Sequence, residues 1–269
     1  MDQEFKMEIL SENTVYKKKL RAEHGLSLYF EYGDKKYLFD TGQGLVLKNN
    51  AEQLNINLKD IDTVILSHGH YDHTGGLKEL LQINPEIDVV ANQDIFIPKY
   101  KIEKDKKKFN GIDIKQKEIN NFINAKGKDK VDKGIYISQN VSVPNETKFK
   151  DKYKINKELM IDKFSDEISI SIKTKKGLII LLGCSHRGVV NIIKDVKKRY
   201  DEKIIGIVGG LHLKKSSQQE VNKIIKYLDS INFDLLVPIH CTGKRAALEL
   251  KKHFEKRVKL SSVGDVFSL

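Results

Sequence analysis

His68-Gly69-His70-Tyr71-Asp72-His73 places three imidazoles and a carboxylate in six consecutive positions. The apolar run Thr63-Val64-Ile65-Leu66 leads into them and Thr74-Gly75-Gly76 follows. Side chains of these types, crowded at a turn after a buried strand, are metal donors that can surround one or two ions. His68 and His70 are two residues apart, so an extended backbone sends both rings to one side, where a single ion can take both. Asp72 and His73 are adjacent and diverge, which suits a second ion beside the first. Thr74 is the expected N-cap of a helix over residues 75–81, whose free N–H groups would lie close to the donors.

The elements that must carry these residues can be read from the apolar pattern. A strand is expected over residues 5–10 and a hairpin over 26–32 and 36–40, turning at Gly33-Asp34. Asp40-Thr41-Gly42 ends that hairpin with a carboxylate and a turn, and residues 45–54 read as a helix. In the second half, strands at 177–182, 204–208 and 235–239 alternate with helices at 189–200 and 244–254. A third helix is announced by the capping box Ser217-x-x-Glu220, with Val221, Ile224, Ile225 and Leu228 on one face. Each of these three strands runs into a histidine: His186, His212 and His240. Six of the eight histidines, His68, His70 and His73 included, thus stand at carboxyl ends of apolar strands, the edge where open α/β sheets gather ligands. His253 belongs to a solvated helix. His24, in Glu23-His24-Gly25, is either a turn residue or part of a site rim.

With 269 residues, 39% of them hydrophobic, the chain can bury a sizeable core. It has no run of about 18 apolar residues, so no membrane span is expected. The acidic start and two distant cysteines, Cys184 and Cys241, give no secretory signal or disulfide framework, and a cytoplasmic location is expected. The formal charge is +11, and residues 101–133 hold eleven Lys against six Asp and Glu. A lysine-coated surface explains this best, attraction of a small anionic substrate comes next, and a nucleic-acid track is the weakest reading. Residues 99–163, charged and weakly periodic, are expected to form a lid-like insertion over the site in an otherwise single domain.

His68-x-His70-x-Asp72-His73, the earlier Asp40-Thr41-Gly42, and His186 and His240 after later strands together resemble the metallo-β-lactamase superfamily. The resemblance spans most of the chain. More narrowly, residues 23–27, Gly183-Cys184-Ser185-His186, Gly209-Gly210-Leu211-His212-Leu213 and His240-Cys241-Thr242-Gly243 resemble a microbial subgroup labelled dihydropterin ribofuranosylaminobenzene 5′-phosphate synthase-like. The resemblance implies an α/β fold, a four-layer αββα sandwich with a two-metal site at one edge. It implies His68, His70 and His186 at the first ion, and Asp72, His73 and His240 at the second. Most superfamily hydrolases carry Gly-Asp where this chain has Gly183-Cys184, and that Asp bridges the ions. Here a Cys184 thiolate bridges, or solvent alone does, or Cys184 is a small packing residue.

Two divalent ions about 3.5–4 Å apart share a water and lower its pKa toward neutrality, giving a hydroxide nucleophile. The expected activity is therefore metal-dependent hydrolysis of a small anionic, phosphate-containing molecule, with zinc ahead of manganese or iron. Asp72 would orient the nucleophile and take its proton, and His212 would serve the oxyanion or leaving group. Asp40 would orient a ligand histidine from behind. The alternatives are a di-iron redox or ligand-sensing protein on the same scaffold and, more weakly, an RNA-processing nuclease.

Overall fold

The structure, a computed structural model, describes residues 5–104, 106–144, 153–156 and 159–269. One sheet has seven strands, in the order Val266–Ser268, Lys6–Ser11, Ser27–Tyr32, Lys35–Phe39, Thr63–Ile65, Asp88–Ala91 and Asn121–Asn124. A second has six, in the order Leu235–Ile239, Ile204–Gly210, Leu178–Leu182, Ile168–Lys173, Ile135–Gln139 and Lys130–Asp132. Alternating apolar residues of both, among them Phe30, Phe39 and Ile65 facing Ile170, Leu181 and Val208, fill the space between the sheets.

The outer faces are covered by helices. Leu47–Gln53 and Leu77–Ile83 pack Leu47, Ala51, Leu77 and Leu80 on Leu38 and Val64 of the first sheet. Val189–Arg199, Gln218–Asp229 and Lys244–Phe254 cover the second with Ile193, Val196, Val221, Leu228 and Leu250. Each helix buries one stripe because its apolar residues recur at helical spacing, and the Ser217–Glu220 capping box starts the middle one. The layers run helix, sheet, sheet, helix.

Two expectations need correcting. Thr74 ends the short helix Tyr71–Thr74, and its hydroxyl donates to the His70 carbonyl at 3.0 Å; Gly76 caps the next helix. The donor stretch thus continues straight into a helical turn, so Asp72 and His73 point from a helix. Nor is 99–163 one insertion. Asn121–Asn124 pairs in parallel with Asp88–Ala91, and Ile135–Gln139 pairs with Ile168–Lys173, with Ile135 and Ile137 fully buried. Among the described residues, what stands apart is a four-stranded sheet of Met160–Ile161, Tyr153–Ile155, Lys99–Glu103 and Lys106–Phe109. Frequent lysines at exposed positions hid the core strands.

Candidate metal centre

The strand Thr63–Ile65 delivers His68 to the sheet edge beside Asp40, which follows Lys35–Phe39 in the left-handed region with φ 63°. Asp40 is fully buried; its carboxylate accepts from Ser67 N and Ser67 Oγ, each at 2.7 Å, and from His73 Nδ1 at 2.6 Å. Since the Ser67 hydroxyl donates to Asp40, it accepts from His68 Nδ1 at 2.9 Å. His240 Nδ1 in turn donates to Asn13 Oδ1 at 3.1 Å, while its backbone N–H donates to Glu12 at 2.7 Å. Three imidazoles therefore have their outer nitrogens tied to acceptors, which leaves each Nε2 lone pair turned inward.

The inward nitrogens converge. His73 Nε2 lies 3.2 Å from both His240 Nε2 and Cys184 Sγ, and His68 Nε2 lies 3.1 Å from His70 Nδ1. Ligand atoms of His68, Cys184 and His186 lie within 4.8 Å of one another, as do those of His73, Cys184 and His240, and those of His24, Asp72 and His240. His70 is in none of these groups, although its Nε2, like that of His186, is buried with no hydrogen-bond partner among the described residues. His73 Nε2 and His240 Nε2, each turned inward by an outer hydrogen bond, face one another at a distance that needs an ion or a shared proton between them, and the bare Nε2 of His70 and His186 are unfavourable in a buried place unless an ion takes them. The donor set therefore fits one or more divalent ions.

Cys184 stands in two of these groups at once, the place where the resemblance put a bridging Asp. Asp72 Oδ2 lies 3.5 Å from His240 Nε2 and 3.3 Å from His24 Nε2, and His24 is half-exposed at the rim. His212 was expected apart from the ligands. The structure gathers it instead with Cys184 and Cys241 in a further group of the same dimensions.

Electrostatics separates these side chains. Burial, reinforced by neighbouring imidazoles, holds His68, His70 and His186 well below the usual histidine range, so they are neutral donors. For His73 burial acts the same way, but Asp40 outweighs it and raises the group to about 9, so near neutral pH an ion must displace the Nε2 proton to take up that inward lone pair. Burial would raise Asp72, yet His240, His73 and His70 hold its carboxyl below the ordinary range. Burial pushes the Cys184 thiol up; Cys241, also burdened by burial, is pulled down by Cys184, His212 and His240.

Further residues come into view only in three dimensions. Glu167 accepts from the backbone N–H of His186 at 2.6 Å and of Arg187 at 2.9 Å, and Phe164 stacks on the His186 ring, centroids 3.9 Å apart. Asp166 accepts from Gly69 N at 2.7 Å and, with Asp162, pairs with buried Lys99, each at 2.9 Å. The one available sequence signal was the acidic run Asp162 to Glu167 ahead of an apolar strand. Glu12 and Asn13 gave none beyond their nearness to a strand end, and Cys241 only its place beside His240. A cleft of about 210 Å³ opens over the cluster, with His70, Asp72, Tyr153 and Cys184 inside and Lys101, Lys214 and Lys215 at its margin.

Two sheets between helical layers, with imidazoles gathered at one edge, define an αββα protein with a metal-type donor cluster. The chain belongs to the metallo-beta-lactamase superfamily, whose sequence profile matches residues 20–203. An uncharacterised protein of Methanocaldococcus jannaschii is 34% identical over 260 residues, 91% of this chain and 94% of its own length. Another protein of that organism, named 7,8-dihydropterin-6-methyl-4-(beta-D-ribofuranosyl)-aminobenzene-5'-phosphate synthase, is 32% identical over 257 residues, 87% of each chain. The crystal structure of Tm1679, a metal-dependent hydrolase of the beta-lactamase superfamily, matches with a TM-score of 0.86 at 28% identity, covering 98% of this chain and 99% of its own. The short form of human tRNase Z shares the fold alone, with a TM-score of 0.54 at 14% identity over 98% of each chain.

Proposed function

We propose that the protein is a metal-dependent hydrolase of a small anionic, phosphate-containing molecule, working at a two-ion centre. The observation that carries this reading is the set of tied imidazoles whose free nitrogens meet under a lysine-edged cleft. His68, His186 and Cys184 would hold one ion with His70 beside them, and His73, His240 and Cys184 the other with Asp72 beside them. Zinc fits this donor set first, with manganese or iron next. Divalent ions bound there supply Lewis acidity, making a water nucleophilic near neutral pH and polarising the scissile bond.

The chain's own residues do the rest. Asp72, kept ionised, accepts a hydrogen bond from the attacking water and orients it. Lys101, Lys214 and Lys215 draw an anion to the cleft and neutralise charge that develops on it. Tyr153 walls the side of the cleft nearest His70, which limits the substrate to a small or flat group there, and Phe164 backs the His186 ring.

The relative named a synthase, whose name gives a phosphate compound as its product, is consistent with an anionic ligand in the cleft and leaves open a transfer instead of a hydrolysis. A di-iron redox centre is less favoured, since among the described residues Asp72 is the one carboxylate in the ligand groups. A ligand sensor on this scaffold would bind without turnover, and a nuclease is favoured by the fold shared with tRNase Z but by no observation at the site itself. Metal analysis of protein purified without chelator, joined to a panel of phosphodiesters, phosphomonoesters, lactones and thioesters, tests the proposal. About two or more equivalents of metal and chelator-sensitive turnover of a phosphate ester are expected; protein that stays metal-free after reconstitution overturns it.

A further inference from the structure

Three consecutive strands of the second sheet end at the cleft, and each brings one soft or borderline donor. Leu178–Leu182 leads to Cys184, Ile204–Gly210 to His212, and Leu235–Ile239 to Cys241. Both cysteines are free. Their sulfurs and a His212 ring nitrogen lie within 4.8 Å of one another, and all three residues line the cleft. His212 Nδ1 is buried with no hydrogen-bond partner among the described residues.

The backbone makes room for the sulfur. A Cβ at Gly210 would come 2.5 Å from Cys241 Sγ and 2.4 Å from the Gly183 carbonyl, so only glycine lets the two strand ends close on the thiol. His212 and His240, at φ 55° and 54°, both sit in the left-handed region at these strand ends. Such strain is expensive for residues with a side chain and persists where the surroundings fix it. Cysteines that merely filled space would be enclosed by apolar atoms, whereas these two lie among imidazole nitrogens at the edge of the cleft.

We propose that Cys184, Cys241 and His212 form a thiolate-rich ion position on the cleft side of the imidazole cluster, selecting zinc over manganese or magnesium. Two thiolates and one imidazole with an open fourth position are a donor set that catalytic zinc uses, whereas manganese and magnesium favour oxygen ligands. The inference rests on the metal-centre reading and adds Cys241 as a ligand. It also moves His212 from substrate contact to metal binding.

Cobalt(II) substitution of the ion-free protein tests it, because thiolate ligation produces an intense near-ultraviolet sulfur-to-cobalt absorption that nitrogen and oxygen ligands do not. The wild type should show this band. Cys241→Ser should weaken it about twofold, and the Cys184→Ser/Cys241→Ser double variant should lose it. A band untouched by Cys241→Ser overturns the thiolate position while the metal centre stands; cobalt bound without any band overturns the thiolate position and also removes Cys184 from the imidazole centre, leaving the histidines and Asp72 as its ligands. A wild type that binds no cobalt overturns the metal-centre reading itself. Thiol labelling of the wild type needs no variant: a chromogenic disulfide reagent should react about tenfold more slowly with both cysteines once zinc is bound. Equal labelling with and without zinc overturns the proposal.

Discussion

Asp40 acts on the cluster without facing it. Its carboxylate fixes the His73 tautomer directly and the His68 tautomer through Ser67, so one buried group sets the direction of two lone pairs. Asp40→Asn offers an N–H where a lone pair is needed and turns one imidazole or the Ser67 hydroxyl the wrong way. Partners of this kind are worth about 10- to 100-fold in metal affinity. That loss is expected in a competition titration against a chromophoric chelator, with the fold retained by circular dichroism. Unchanged affinity would mean that the outer hydrogen bonds do not orient the donors. The donors themselves were legible in the sequence because His68, His70, Asp72 and His73 are neighbours along the chain. Asn13 was not, since the segment it holds, at His240, lies 227 residues away and neither position has a pattern of its own. Cys241 was visible only as part of a His-Cys pair, and nothing in its spacing showed that Cys184 lies across from it.

Strands and helices differed in legibility for a physical reason. The apolar runs at Leu178–Leu182 and Leu235–Ile239 and the helices after them are buried on a face wide enough to leave a clear period. Between residues 99 and 163 the strands are short, and most of their side chains reach water, so lysine frequency masks the alternation at Ile135 and Ile137. Within that span, Lys99 bears the largest burden. Its ammonium lies between Asp162 and Asp166, all three nearly fully buried, and Asp166 in turn holds the Gly69 amide between two of the histidines. Lys99→Met would leave two buried carboxylates without their cation, which costs about 3–5 kcal/mol. Denaturant unfolding should show that loss, and adding Asp162→Asn and Asp166→Asn should recover most of it. A single variant as stable as the wild type would show that the triad does not hold the sheet to the site. The same division predicts where a protease enters. Lys106, Lys107 and Lys108 lie on a fully exposed strand of the four-stranded sheet, whereas Asn121–Asn124 and Ile135–Gln139 are built into the two main sheets. Trypsin should cut at 106–108 before it cuts at Lys126 or Lys133, as mass spectrometry of early fragments would show; first cuts in the latter stretch would contradict the sheet assignment.

At the scale of the whole molecule, the excess of 48 Lys and Arg over 37 Asp and Glu has two parts that do different things. Much of it is spread over the outer surface, where counter-ions screen it within a Debye length of about 8 Å at physiological salt. Lys101, Lys214 and Lys215 are different, because they line the cleft over the imidazole cluster, where low-dielectric walls focus the field. If the substrate is anionic, these lysines raise its local concentration and lower KM; if it is neutral, they are bystanders. Lys214→Glu/Lys215→Glu should therefore lower kcat/KM for a phosphate ester about 10-fold at low ionic strength, mostly through KM, with the difference shrinking as salt is added. The bound metal should stay the same, since neither lysine belongs to a ligand group, and a neutral lactone should react at an unchanged rate. Equal losses for the lactone and the phosphate ester would place the effect in the geometry of the site and count against an anionic substrate.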